Sequence, residues 1–158
     1  MCICKKLSES NLIRSRVQLN QTKLTLRLVL KNPNFFNANL QMLNLRKAHF
    51  ISAKMTTVDL TGSIIRFAEL ERVNLTGANL TNCDLSYSSL FGANLSGSIL
   101  NGAKLSNTDL RQANLENTQL RNVDFSQCHV AGAIFTNAEG LSASQKRWLK
   151  NNGALNVF

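Results

Sequence analysis

Little in this chain is suited to chemistry. It has two histidines, His49 and His129, and nine acidic residues among 158. These form no Ser/His/acid set, phosphate-binding glycine loop or metal-ligand cluster at a recognisable spacing. No catalytic, metal or cofactor residues are expected, and the chain is not expected to be an enzyme. No apolar run approaches the roughly 18 residues that a membrane span needs, and the N-terminus lacks the apolar core of a signal peptide. A cytoplasmic protein with no membrane span is the expectation. The four cysteines fit that compartment, and Cys2 and Cys4 form an isolated Cys-X-Cys without a second pair or a nearby histidine, so no metal site is implied. The one proline, Pro33, marks a break between an irregular N-terminal segment and a regular body.

That body repeats with a period of five. All twenty positions in steps of five from 40 to 135 are apolar: fourteen Leu, three Phe (Phe50, Phe125, Phe135), Met55, Ile65 and Val130. Two places before each centre, nineteen of the twenty are Ala, Ser, Thr, Cys or Val, with Leu43 the exception. Cys83 and Cys128 belong to this small set and act there as compact apolar residues. The run is most regular at Leu80, Leu85, Leu90, Leu95, Leu100, Leu105, Leu110, Leu115 and Leu120, the expected structural core.

Neither regular element accepts this period. On an α-helix each fifth residue steps about 140° around the axis, so the leucines would spiral over every face. On a flat strand every fifth residue changes sides, leaving half of them in water. The pattern buries itself only if the chain turns a corner within each five. Six of the eight glycines, and Asn37, Asn82, Asn107, Asn117, Asn122 and Asn137, stand two places after a centre. Those residues accept positive φ at least cost, which marks the corner.

With small, Asn/Asp, centre and corner positions all in agreement, residues 35–139 resemble the pentapeptide-repeat proteins, whose motif is A(D/N)LXX. The resemblance implies an all-β solenoid: a right-handed quadrilateral β-helix of about five coils, four fives to a coil, with a short C-terminal capping α-helix. Stacking at about 4.8 Å per coil then sets His49 and His129 roughly 19 Å apart, too far to share a site.

Three segments are expected. Residues 1–34 read as an irregular basic N-terminal cap with partial repeats at Ser10-Asn11-Leu12 and Ser15-Arg16-Val17, then an alternating Leu24, Leu26, Leu28, Leu30 strand. Residues 35–139 form the repeat body. In residues 140–158, Ser142 and Gln145 have capping-box spacing, and Leu141, Trp148 and Leu149 are placed to cover the last coil.

The net charge of +9 is uneven. Residues 1–47 carry nine Lys/Arg against Glu9 alone, residues 48–140 sum to −2, and residues 141–158 add +3. With twenty residues per coil, outward residues stack in columns. One column is Lys47, Phe67, Tyr87, Asn107, Gln127; beside it runs Arg46, Arg66, Ser86, Ser106; around the next corner come Ile51, Glu71, Phe91, Arg111. Arg46, Lys47, Ile51, Ile64, Arg66, Phe67, Arg72, Tyr87 and Phe91 thus form the candidate protein-interaction patch, since exposed aromatics beside Arg have interface composition. The expected function is a non-catalytic, rigid protein–protein interaction or scaffold module with an unidentified protein partner. One alternative comes from the family, some of whose members mimic DNA and protect type II topoisomerases; the basic charge opposes it. The other alternative is nucleic-acid binding through the basic N-terminal segment. The C-terminal end, with Leu149, Leu155, Val157 and Phe158, leaves monomer and dimer both open.

Overall fold

The computed structural model describes residues 34–158. Its organising contact is the parallel pairing of each residue just before a centre with the residue twenty later, as in Asn79↔Ile99 and Asn94↔Asn114. Four fives therefore close one coil, and the chain is a right-handed quadrilateral β-helix. We number the coils 1 (35–54), 2 (55–74), 3 (75–94), 4 (95–114) and 5 (115–134). The first to fourth faces are centred, in coil 3, on Leu75, Leu80, Leu85 and Leu90. Each centre donates its N–H forward, as Leu80 does to Ile99 O at 2.7 Å, and each preceding residue donates backward, as Asn79 does to Val58 O at 2.9 Å. These rungs tie every coil to its neighbours.

The corner has a local cause. Ala78 N donates to Leu75 O at 3.0 Å, closing a four-residue turn, and Gly77 at its third position has φ 66°. A positive φ there is what a type II turn requires. The Asn or Asp before each centre has a task as well. Asn79 Oδ1 accepts from Thr81 N at 3.1 Å, and Asp84 Oδ1 from Ser86 N at 3.1 Å. This bond caps the amide at the start of the turn, which explains why the repeat favours Asn and Asp.

The axis is filled by the centres, each no more than 4% exposed, and the small residues close the corners. Burial of each leucine contributes about 1.5–3 kcal/mol. Most polar members of the small set are satisfied: the Ser63, Ser88 and Thr108 hydroxyls and the Cys83 and Cys128 thiols donate to carbonyls of the coil before, and Thr118 donates to Leu115 O of its own turn, whereas the buried Ser98 hydroxyl has no partner. Leu43 is only half buried.

Each end extends the core beyond the run of centres from Leu40 to Phe135. Phe35 is a buried centre packed edge-on against Phe50 at 5.6 Å, so the core begins one five earlier than Leu40. Asn34, just ahead of coil 1, pairs with Lys54 and joins the stack. The rest of the expected N-terminal cap lies outside the described residues. At the other end, helix α1 (Ala143–Asn151) carries the expected capping box between Ser142 and Gln145. Leu149 is buried, with Leu141 and Trp148 packed partly against the core. The chain after Gly153 then returns to the stack, a feature the sequence did not reveal. Leu155 pairs with Ile134, and Ala154 and Val157 are buried. Leu149 and Val157 are therefore spent on the lid, and only Leu155 and Phe158 of the C-terminal apolar set remain exposed.

One rung is missing. On the third face, Leu105, Asn107 and Asp124 make none of the main-chain bonds between coils that their equivalents make elsewhere, and Lys104 does not pair with Asp124. Gln127, at the corner position, is absent from the positive-φ residues that turn the other corners. Coil 5 is held here by other contacts: Phe125 packs edge-on against Phe135 at 5.7 Å, and Gln145 Nε2 of α1 donates to Val123 O at 2.6 Å.

Candidate functional site: an aromatic and cationic corner on the third face

Phe67 and Tyr87 occupy equivalent corner positions in coils 2 and 3, one rung apart. Their rings stack at 5.1 Å with an interplanar angle of 12°. The spacing reflects the coil rise of about 4.8 Å, which sets side chains of one column at stacking distance. Arg66 lies 5.4 Å from both ring centroids and Arg46 lies 5.8 Å from that of Phe67. A cation over a ring face is worth about 0.5–1 kcal/mol at an exposed site; Arg66, equidistant from two near-parallel rings, stands beside the stack rather than over both faces. Arg66 Nε makes no hydrogen bond, and Asp84 Oδ2 stands 3.8 Å away, so ring contact and a long ion pair together place the guanidinium.

These rings are not core. Phe67 is 43% exposed and Tyr87 48%. Their backbones are also unusual. Phe67 has φ 58°, Tyr87 62° and Lys47 59°. A bulky residue in the left-handed region is costly by about 1–2 kcal/mol. Gly and Asn mark the corner but do not monopolise it, because coil closure imposes the conformation on whatever residue stands there.

The patch divides into two columns. Ile64, exposed, shares the third face with Phe67. Ile51 and Phe91 stand on the fourth face, and the outward column of His49, Glu69 and Ser89 runs between the two groups. His49 Nδ1 and Glu69 Oε2 meet at 2.6 Å. Phe91 is half buried, and its cation is Arg111, at 5.8 Å, rather than Arg72. Arg111 is fixed by two hydrogen bonds to Asp109, which hold that carboxyl below the usual range. Arg72 is exposed and has no ring or carboxylate partner among the described residues. Asp84 and Arg111 are thus members that sequence reasoning missed. A signal was there: Asp84 lies one coil beyond Ile64 in the same column, and Arg111 one coil beyond Phe91. The Lys47–Gln127 column holds only through Asn107, because the third face opens before Gln127.

Other chemistry finds little support. No group of three or more His, Cys, Asp or Glu suited to a metal occurs among the described residues. Burial pushes the Cys83 and Cys128 thiols up to about 12, which keeps them protonated and poor nucleophiles. No helix among the described residues is long and apolar enough to cross a membrane.

With the geometry in place, the chain can be compared with known proteins. The family model for pentapeptide repeats matches eight copies in overlapping stretches from residue 30 to residue 137. A pentapeptide repeat protein of the Arabidopsis thaliana thylakoid lumen is similar at 28% identity and TM-score 0.65, over 72% of this chain and 79% of that one. HetL, a pentapeptide repeat protein involved in heterocyst differentiation regulation in the cyanobacterium Nostoc sp. strain PCC 7120, is 23% identical, with TM-score 0.40 over 69% of this chain and 52% of that one. QnrB1, a plasmid-mediated fluoroquinolone resistance protein, is 17% identical, with TM-score 0.34 over 76% of this chain and 83% of that one. No curated protein matches the sequence.

Proposed function

The chain belongs to the pentapeptide-repeat family, and from that premise we propose that it is a non-catalytic interaction module whose third-face corner engages a protein partner. One observation carries the reading: Phe67 and Tyr87 are held in left-handed backbone with their rings stacked and half in water. Coil closure imposes that backbone, but bulky rings there in place of Gly or Asn cost stability, and strained positions of this kind cluster at functional sites. The prism supplies rigidity, since these corners are fixed by bonds to the neighbouring coils. A DNA-mimic role needs a negative surface, whereas residues 48–140 sum to only −2 and both ends are basic.

The test is affinity capture from native lysate at low and high salt, comparing wild type with Phe67→Asn/Tyr87→Asn. Asn is the residue at the same corner in coil 4, where Asn107 has φ 56°. The variant should therefore melt no lower than wild type while losing a salt-resistant protein partner. Equal capture by both proteins, or recovery of nucleic acid alone at low salt, would remove the corner from the function.

A further inference from the structure

We infer that this corner takes an acidic segment of its partner, with carboxylates flanking an apolar side chain; the inference rests on the interaction reading above and names the chemistry of its occupant. The free parts of the rings decide what they can bind. Phe67 has Tyr87 against one face and Arg46 and Arg66 near its centroid. Rings stacked in parallel along the coil axis turn their edges outward. The edge of an aromatic ring carries the positive end of its quadrupole, so it favours a carboxylate or carbonyl oxygen. A nucleobase needs a ring face, and only the Tyr87 face toward Asn107 remains.

Charge points the same way. Arg46 and Lys47 meet no carboxylate among the described residues, and Arg66 has Asp84 only at 3.8 Å. Guanidiniums present planar arrays of donors suited to carboxylates. Cation–ring contacts hold Arg46 and Arg66 in place before any partner arrives, which lowers the side-chain ordering cost of binding. Ile64, exposed on the same face in the same coil as Phe67, offers the apolar floor. The patch runs through coils 1 to 3, on the order of 10 Å along the axis. That length suits a short segment with one apolar anchor.

The experiment is an amide-resolved NMR titration of the full chain with three probes: a soluble peptide of repeated Glu-Glu-Leu units, its Gln-Gln-Leu counterpart, and oligothymidylate. The expected result is that the Glu-Glu-Leu peptide alone shifts Arg46, Arg66, Phe67 and Tyr87. Arg46→Glu/Arg66→Glu should weaken that binding by about tenfold or more, the scale of two exposed charge pairs lost together. Arg46→Gln/Arg66→Gln should give an intermediate loss, and guards against a charge reversal that merely perturbs the fold. Equal binding of the Gln-Gln-Leu peptide would overturn the acidic assignment while leaving the interaction reading in force. Shifts at the same amides with oligothymidylate, or no shifts there with any probe, would also overturn it. The lysate capture with the Asn variants separates that failure from failure of the interaction reading itself.

Discussion

Coils 1 and 2 and coils 3 to 5 share a core and differ in their surface. Their centres are equally buried, and the same main-chain ladder runs through both apart from the rung missing between coils 4 and 5. The corners are another matter. In coils 1 and 2, six of the eight left-handed corners carry residues other than Gly or Asn: Met42, Lys47, Ser52, Thr57, Phe67 and Arg72. From Gly77 to Asn137, ten of the twelve left-handed corners are Gly or Asn, and Tyr87 is one of the two exceptions. Exposed large apolar residues divide in the same way. Phe36, Met42, Ile51, Ile64 and Phe67 lie in the first two coils and Tyr87 in the third, with none between Tyr87 and Leu155. Side chains here are carried against the conformational preference of the backbone, at the end of the stack where the proposed interface lies. The leucine columns say nothing about function; the corners do.

The largest test of the comparison asks whether the cores are in fact alike. Leu60→Ala in coil 2 and Leu100→Ala in coil 4 each remove a fully packed centre of the second face. Each should destabilise the chain by about 2–5 kcal/mol, and the two should agree closely, because the cavity formed is the same. Chemical denaturation of both variants measures this. A much smaller loss for Leu60→Ala would mean that coils 1 and 2 yield separately, and their surface strain would then lack the rigid support assigned to it.

A second test, of about 1 kcal/mol, exchanges corner chemistry between the halves. Gly97 has φ 66°, and a methyl group there would meet nothing within 4 Å. Gly97→Ala therefore reports backbone strain alone and should lose about 1 kcal/mol, less any gain from stiffening the unfolded chain. Thr57 is a β-branched residue at φ 55°, a conformation such residues seldom adopt. Thr57→Gly should raise the melting temperature, although the entropy of glycine offsets part of the relief. A fall on Thr57→Gly would show that its hydroxyl contacts with Thr56 O and Asn37 Oδ1 outweigh the strain, and the contrast between halves would lose its energetic meaning.

Much of this architecture was legible in the amino-acid sequence, for a physical reason. A period of five that fits neither helix nor strand can be buried only by a coil, so the axis residues from Leu40 to Phe135 could be read directly. The number of faces and the handedness were not in the spacing and rested on resemblance to a family. The capping box at Ser142 and Gln145 was visible because it is local, whereas the return of Ala154 and Val157 to the core depends on where α1 leaves the chain. Phe67 and Tyr87 could be placed in one column by counting twenty. Their left-handed backbone follows from the corner position two places after a centre, although residue preference alone argues against it, a weak rule that closure of the coil overrides. The Arg46 and Arg66 contacts needed rotamers, and the separation of Phe91 from Phe67 needed the polar column between them.

The smallest effect concerns the one place where the well-formed half fails. Leu85 and Tyr87 donate forward to Lys104 O and Ser106 O, both at 2.9 Å, whereas Leu105 and Asn107 have no such bond to coil 5. Amide exchange at Leu105 and Asn107 should therefore be faster than at Leu85 and Tyr87, although all four share one face. Gln127 does not adopt the left-handed corner that would bring Asp124 and Ser126 into register, and Gly has the least resistance to doing so. Gln127→Gly should slow exchange at Leu105 and Asn107 toward the Leu85 value. If it does not, the opening is held by Phe125 against Phe135 and by Gln145 on Val123, and Phe125→Leu becomes the change that closes the rung. Either result assigns the break to one position, the corner or the core.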